Sequence, residues 1–498
     1  MYIGIDLGTS SVKIVLMNEA FATLASTSSN FTVSNPQPLW SEQDPAQWWQ
    51  GTNAAMQELK TKYPELMAQV KAIGLSGQQH GATLLDKHNK VLRPAILWND
   101  GRSFLECQEL EQRVPGIRQL IGVRMMPGFT APKLLWVAKH EPAIFKQVAK
   151  VLLPKDYLRL IINGQFASDM SDASGTGWLD VAKRCWSEEL LAACDLNLSY
   201  MPRVYEGNEN TGTILPEIAK LWGITANTIV AAGAGDNAAG AVSVNVTEAG
   251  QGLLSLGTSG VYFIADDQYR PNPDAGVHTW AHCLPKRWHQ MNCHLSAANC
   301  LTWLANLVGA SVGELISEAE KKSPLTPLLQ RGELLFLPYL TGERSPHNNP
   351  YATGTLLGLT PNVDRADLMQ AVLEGVALNF AEGQEALYQA GVKINEVSVV
   401  GGGARSLYWG KILANSLQRE LSYRKDREVG AALGAARLAY LAVNGGNPAN
   451  IFPISLVEEI IKPDAQLADY YAEKLTKFKA AYKSLFVSSL TCSNIKLT

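Results

Sequence analysis

The chain is poor in several things that would give its function away. Seven cysteines are spread over 498 residues. Their odd number and the absence of any Cys-x-x-Cys spacing fit reduced thiols in a cytosol rather than a disulfide framework. No apolar run reaches the roughly 18 residues that a membrane span requires. The start, Met1-Tyr2-Ile3-Gly4-Ile5-Asp6, has no basic segment before its first acid, so it does not read as a secretory signal and a cytoplasmic location is expected. Lys and Arg number 43 against 46 Asp and Glu, a net charge of −3 with no block of five like charges. That excludes a nucleic acid or anionic membrane recruited by bulk charge. A Walker A sequence is missing too. The triplet Gly401-Gly402-Gly403 lacks dinucleotide-binding spacing, so neither a P-loop nor a standard Rossmann site is supported.

What is present is an ordinary soluble composition, 46% hydrophobic and 18% charged, on a length that suggests two to four domains at ~150 residues each. An internal repeat narrows the count. Leu-Gly-Thr-Ser-Ser-Val begins at Leu7 and Leu-Gly-Thr-Ser-Gly-Val at Leu256, 249 positions apart, half of 498. Each hexapeptide lies between two β-rich runs, Tyr2–Ile5 and Lys13–Leu16 in the first half, Gly252–Ser255 and Tyr262–Ile264 in the second, which predicts two equivalent hairpins. A second ordered match pairs residues 70–77 with 394–401, a strand ending in glycine in both. Helices start at Asp44-Pro45 and at Asp367-Leu368, by N-cap and periodicity signals. Strands alternating with helices give an α/β protein of two similar lobes, with the division at 1–245 and 246–498. The last 50 or so residues read as packing helices.

A Gly-Thr-Ser turn offers backbone N–H groups and hydroxyls without bulk, which suits phosphate oxygens. An ordinary hairpin turn favours the same residues; two equivalent copies facing a cleft favour a polyphosphate held from both sides. The copies differ at one place. Asp6 precedes the first turn and Ser255 the second, and a carboxylate inside an apolar strand needs a partner or a task. Magnesium accompanying ATP, bound directly or through a water, would supply one. Asp236 follows the strand 228–231 and small residues, and opens a helix near the lobe junction; a plain N-cap is the competing reading. His278, His282, Cys283, His289, Cys293, His294 and Cys300 crowd together without paired zinc-ligand spacing and read as core. None of the twelve tryptophans is assigned to sugar stacking.

Two longer segments carry a resemblance. Gly128-Phe129-Thr130-Ala131-Pro132-Lys133-Leu134-Leu135-Trp136, and Gly354–Leu359 followed by Asp367-Leu368 and Ala371–Glu374, are similar to the two signatures of the FGGY carbohydrate kinases. The segments 38–45, 97–102 (Leu-Trp-Asn-Asp-Gly-Arg), 153–157 (Leu-Pro-Lys-Asp-Tyr) and 342–347 (Gly-Glu-Arg-Ser-Pro-His) resemble the members of that family that act on D-xylulose. The similarity spans roughly residues 1–440. It implies two ribonuclease-H-like lobes of the actin, Hsp70 and hexokinase superfamily with a cleft between them. It also implies ATP- and Mg2+-dependent phosphorylation of D-xylulose to its 5-phosphate. A kinase for another ketose or polyol, such as ribulose, is the neighbouring alternative, and an actin- or Hsp70-like ATPase without a sugar the more distant one. A small-molecule sugar is the partner, and a homodimer is implied at family level.

Residue by residue, the resemblance makes Asp236 the general base and Asp6 the acid near Mg2+. Thr9 and Ser10, with Thr258 and Ser259, become the phosphate turns. Gly402, Gly403 and Asn415 become the adenosine pocket, and His80, with Asp236 and Asn237, the sugar site. Gln79 stands where the pattern usually has methionine, so its amide is expected to add a hydrogen bond and alter the choice among ketoses.

Overall fold

The computed structural model describes residues 1–322, 334–425 and 430–487. Its first sheet is built from β1 (Tyr2–Leu7), β2 (Ser11–Met17), β3 (Thr23–Asn30), β4 (Ala72–Gly77) and β5 (Ile229–Ala231), in the spatial order β5-β4-β1-β2-β3. Strands β1 to β3 pair antiparallel, whereas β4 runs parallel to β1 and β5 parallel to β4. The second sheet repeats this plan. In it β6 (Gln251–Leu256), β7 (Gly260–Asp266), β8 (Trp288–His294), β9 (Glu396–Val400) and β10 (Leu421–Arg424) take the order β10-β9-β6-β7-β8. The pairing senses are the same. Both predicted hairpins are therefore present, and the two glycine-ended matches are the parallel neighbours β4 and β9. The two α/β lobes are the same five-stranded plan used twice.

Local signals act as their chemistry requires. Helix α1 (Pro45–Lys62) starts at Asp44, whose side chain accepts from the Ala46 N–H, with proline at its first position. The long helix α3 (Arg365–Gln389) begins two residues earlier than the Asp367 start read from the sequence. Asp364 is its cap, and Asp367 is the third residue of a reciprocal capping box. Among the described helices, no single one is long and apolar enough to cross a membrane.

The halves interlock through the helices that close them. α2 (Asp236–Ser243) ends the first half, and Ala241 on it belongs to a buried cluster with Leu253, Phe263 and Val400 of the second sheet. α5 (Ala431–Asn444) crosses the other way. A Cβ on Gly4 of β1 would lie 1.8 Å from the Ala432 carbonyl, and one on Gly434 would lie 1.8 Å from that of Ala239. Only glycine allows backbones this close. Arg437 of α5 adds hydrogen bonds to the Val242 carbonyl and to Asn245 Oδ1 at the end of α2. The crossed helices form the junction at whose edge Asp236 stands. At the far end, α6 (Ala468–Tyr482) buries Tyr471, Phe478 and Tyr482 in the core of the second lobe.

Candidate active site

Asp236 is the first residue of α2. Gly235 is its cap, so Asp236 does not close the helix as an N-cap carboxylate would. Its Oδ1 instead accepts from its neighbour Asn237, at 2.7 Å from the backbone N–H and 3.1 Å from Nδ2. The other oxygen, Oδ2, has no protein donor among the described residues. Burial first, and then the nearby charge of Asp6, push the Asp236 pKa up to about 7. Asp6 is raised to about 6, again mainly by burial, and its Oδ1 is enclosed without a hydrogen-bond partner. Two half-buried carboxylates, each raised mainly by burial and one of them also by the other's charge, mark a place short of positive charge. The chemistry of that pair, and the orphaned oxygen on Asp6, fit a divalent cation carried in with a polyphosphate.

The first turn, Gly8-Thr9-Ser10, is braced by side chains. Gln43 Nε2 donates to the Thr9 carbonyl at 3.0 Å, Gln78 Nε2 to the Gly8 carbonyl at 3.4 Å, and Trp98 Nε1 to Thr9 Oγ1 at 2.9 Å. Trp98 is held in turn by its own loop. There Asp100 pairs with Arg102, whose guanidinium lies 3.6 Å from the centroid of Trp40. Among the described residues, the second turn, Gly257-Thr258-Ser259, is held by backbone alone. The N–H groups of Ala297, Ala298 and Asn299 donate to its carbonyls at 2.9 to 3.3 Å, leaving Thr258 and Ser259 exposed.

The glycine triplet adjoins that second turn. A Cβ on Gly403 would strike Leu256 and Trp409, whereas one on Gly402 would meet open space. Asn415 lies on α4 (Leu407–Leu417), the helix that follows them, nine-tenths buried, with Oδ1 accepting from the Asp464 N–H.

His80 and Gln79 follow β4. His80 has a positive φ of 68°, unusual outside glycine. Its carbonyl accepts from Lys133 Nζ at 2.9 Å and from Thr130 Oγ1 at 3.2 Å. The ring stands over Gly175 and contacts Phe129 and Trp280. Nδ1 lies 2.6 Å from the Gly175 carbonyl; a carbonyl can only accept, so Nδ1 carries the proton. Burial, Lys133 and Arg344 hold the ring well below its usual pKa despite that bond, which leaves Nε2 as a neutral acceptor. Gln79 is buried with its amide against Gly235, beside Asp236, and Nε2 donates to the Ser171 carbonyl at 3.3 Å.

Behind these residues lies a cluster that the sequence alone does not reveal, although Lys155 and Asp156 belong to the segment 153–157. Lys155, Asp156, Arg159, Asp169 and Asp172 are all fully buried. Lys155 Nζ lies 2.6, 2.8 and 3.1 Å from Asp156, Asp169 and Asp172. Asp169 accepts from the Ser171 hydroxyl, which itself accepts from the Gly235 N–H at 3.0 Å. The cluster thus fixes the residue before Asp236 and the acceptor of Gln79. The charges could not be found from sequence because they come from separate segments whose meeting depends on the fold. By contrast, Cys283 and Cys300 are buried, and Cys293 lies partly buried on β8. Among the described residues no cluster of His, Cys, Asp and Glu has a metal-holding arrangement.

Between the lobes opens a cleft of about 500 Å³. His80, Trp98 and Phe129 line it from the first lobe, and Glu343, Arg344 and Tyr351 from the second. Models of the FGGY family of carbohydrate kinases match this chain in two parts, the N-terminal domain over residues 1–243 and the C-terminal domain over 252–443. The xylulose kinase of Escherichia coli (strain K12) is 52% identical over 487 residues, 97% of this chain and 99% of that protein. A xyloylose kinase from Brucella ovis has a TM-score of 0.93 at 45% identity, covering 97% of this chain and 99% of its own. The xylulose kinase from Rhodospirillum rubrum has a TM-score of 0.89 at 30% identity, over 97% of this chain and 98% of its own.

Proposed function

The chain belongs to the FGGY family of carbohydrate kinases, and on that premise we propose that it transfers the γ-phosphoryl group of ATP to the 5-hydroxyl of D-xylulose. The sugar binds to the first lobe (1–245) and the nucleotide chiefly to the second (246–498). The observation that carries the reading is Asp236. Its Oδ1 is tied to Asn237, its Oδ2 is unclaimed, and its pKa is raised to about 7.

Phosphoryl transfer calls for in-line positioning and charge stabilisation more than for covalent chemistry. Asp236 Oδ2 accepts the hydrogen bond of the 5-hydroxyl, orients it, and takes its proton as the P–O bond forms. A carboxylate is a weak base against such a hydroxyl, so the proton moves late, and the raised pKa makes the transfer less uphill than an ordinary aspartate would. His80 Nε2 accepts from another hydroxyl of the sugar, and Gln79 sits close enough to Asp236 to bear on the choice of ketose. Asp6, with Thr9, Ser10, Thr258 and Ser259, holds the Mg2+·ATP substrate. Magnesium supplies positive charge to the phosphates and to the crowded pair of carboxylates. Gly402 leaves room for the nucleoside beside the second turn. Lobe closure excludes water and limits ATP hydrolysis.

A coupled assay of the purified protein in the cytoplasmic pH range tests this. ATP turnover is measured with D-xylulose, D-ribulose, L-ribulose, glycerol and no sugar, with and without Mg2+. The expected result is Mg2+-dependent turnover greatest with D-xylulose and stoichiometric ketose 5-phosphate. A higher kcat/KM for ribulose would shift the substrate within the family, and sugar-independent turnover without a phosphorylated product would refute the reading.

A further inference from the structure

Three arginines line the inter-lobe cleft, and they are not equivalent. Arg118 is paired with Glu111 and with Asp274. Arg124 donates to the carbonyls of Pro273 and Asp274. Arg344 has no carboxylate partner among the described residues, although its neighbour Glu343 is a carboxylate. Glu343 is used up by backbone and amide donors. Its Oε1 accepts from the N–H groups of Leu295 and Arg344 at 3.0 and 2.7 Å, and its Oε2 accepts from Asn379.

The backbone around Arg344 is fixed from both sides. The Ser345 N–H donates to the Cys293 carbonyl at 3.0 Å, the Cys293 N–H to Ser345 Oγ at 3.0 Å, and Ser345 Oγ to the Gly276 carbonyl at 2.8 Å. The Arg344 carbonyl accepts from the Asn348 N–H at 2.6 Å. A cation on backbone held this firmly, half-buried and without a carboxylate partner among the described residues, is arranged for something that enters the cleft. Its charge bears on His80 and His278, and it is near enough to Cys293 to hydrogen-bond its sulfur. Of the proposed sugar-site residues, His80 lines the cleft beside Arg344 and Asp236 does not. Arg344 therefore faces the His80 end of the sugar site rather than the end where the phosphoryl group arrives.

We infer that Arg344 reaches from the second lobe to the C1-hydroxyl and C2-carbonyl end of the bound ketose and is a specificity-determining residue. The inference rests on the reading above, in which Asp236 takes the 5-hydroxyl. With that end anchored, the opposite end of a five-carbon ketose carries a carbonyl and the neighbouring hydroxyl oxygen. These are two adjacent acceptors, and a guanidinium presents two parallel donors to such a pair. A carbonyl is a pure acceptor and a good match. The corresponding polyol has a hydroxyl there, which must turn its proton away. Because Arg344 belongs to the second lobe and His80 to the first, a ketose gripped by both also ties the lobes together when it is bound.

The test compares wild type, Arg344→Met and Arg344→Lys with D-xylulose and with xylitol, its C2-reduced polyol, at varied sugar and varied ATP. Loss of two charged donors is expected to raise the KM for D-xylulose about 10- to 100-fold. The KM for ATP should stay within about twofold and kcat within about fivefold, and the preference for D-xylulose over xylitol should shrink. Arg344→Lys should recover part of the affinity and little of the discrimination, since an ammonium lacks the paired geometry. An unchanged sugar KM, an equal rise in the KM for ATP, or a fall in kcat at constant sugar KM would each overturn the inference. Melting temperatures identify a variant that fails to fold, and Arg344→Lys then decides by the same criteria. A wild-type protein that phosphorylates no ketose would instead refute the functional reading itself.

Discussion

The two Gly-Thr-Ser turns share a backbone plan and differ in what surrounds it. In the first lobe Asp6 lies opposite Lys13 on β2 and Ser76 on β4. In the second, Ser255 holds the corresponding place and lies opposite Val261 on β7 and Val400 on β9. The first turn is braced by Gln43, Gln78 and Trp98, and the second by three backbone N–H groups at the start of helix Ala298–Val308. A duplicated fold kept its hairpins and divided the chemistry. One lobe carries the two acids, the side-chain props and His80. The other keeps a neutral cradle, with room beside Gly402.

The division is broken most severely at Asp236. Asp236→Asn retains the shape and the bond pattern to Asn237 but removes the base. We expect kcat to fall by about 10³-fold or more, with the KM for sugar changed far less. Retention of wild-type kcat would sink the assignment. The same variant reads out the cost of the carboxylate pair. Asp6 and Asp236 have folded pKa values raised to about 6 and about 7, above the unfolded values near 3.8. Their stabilising contribution is therefore complete below the unfolded pKa and is lost as pH rises through 6 to 7. In ligand-free protein Asp236→Asn should melt a few degrees above wild type at pH 8, and the gap should close on acidification below pH 6. A gap that widens at low pH would show that Asp236 is not buried beside a like charge.

Some of this was legible in the residues and some was not. The hairpins, the repeat and the cap at Asp44 follow from short-range chemistry, in which alternation, glycine and proline act within a few positions of themselves. Asp6 and Asp236 stood out for the same reason, as carboxylates next to strand sequence. The start of α3 was misplaced because Asp364 and Asp367 both suit a helix start and the reciprocal pair uses both. The Lys155 cluster, the prop of Trp98 on Thr9 and the crossed helices at Gly4 and Gly434 join segments tens to hundreds of residues apart. Only the assembled fold brings those partners together.

Ser255→Asp sharpens the comparison by giving the second turn the acid of the first. The new carboxylate would stand half-buried opposite two valines with no Lys13 or Ser76 to meet it, beside the proposed phosphate site. Repulsion of the phosphates should raise the KM for ATP about 10- to 100-fold while the KM for sugar stays near wild type. A variant with unchanged ATP affinity would mean that the second turn does not approach the phosphates.

The smallest expected effect is at Trp98. Its indole Nε1 donates to Thr9 Oγ1, and the ring is 40% exposed at the cleft. Trp98→Phe keeps most of the ring and removes only the donor, so the Thr9 hydroxyl turns freely while Gln43 and Gln78 still hold the backbone of the turn. A hydrogen bond of this kind contributes about 1 kcal/mol, so the KM for ATP should rise about two- to fivefold with little change in kcat. Nothing comparable can be removed from the second turn, whose braces are peptide N–H groups that every non-proline residue supplies. If Trp98→Phe leaves the KM for ATP unchanged, the side-chain braces are dispensable. The first turn would then be held as the second is, by its backbone, and the difference between the lobes would reduce to the acids alone.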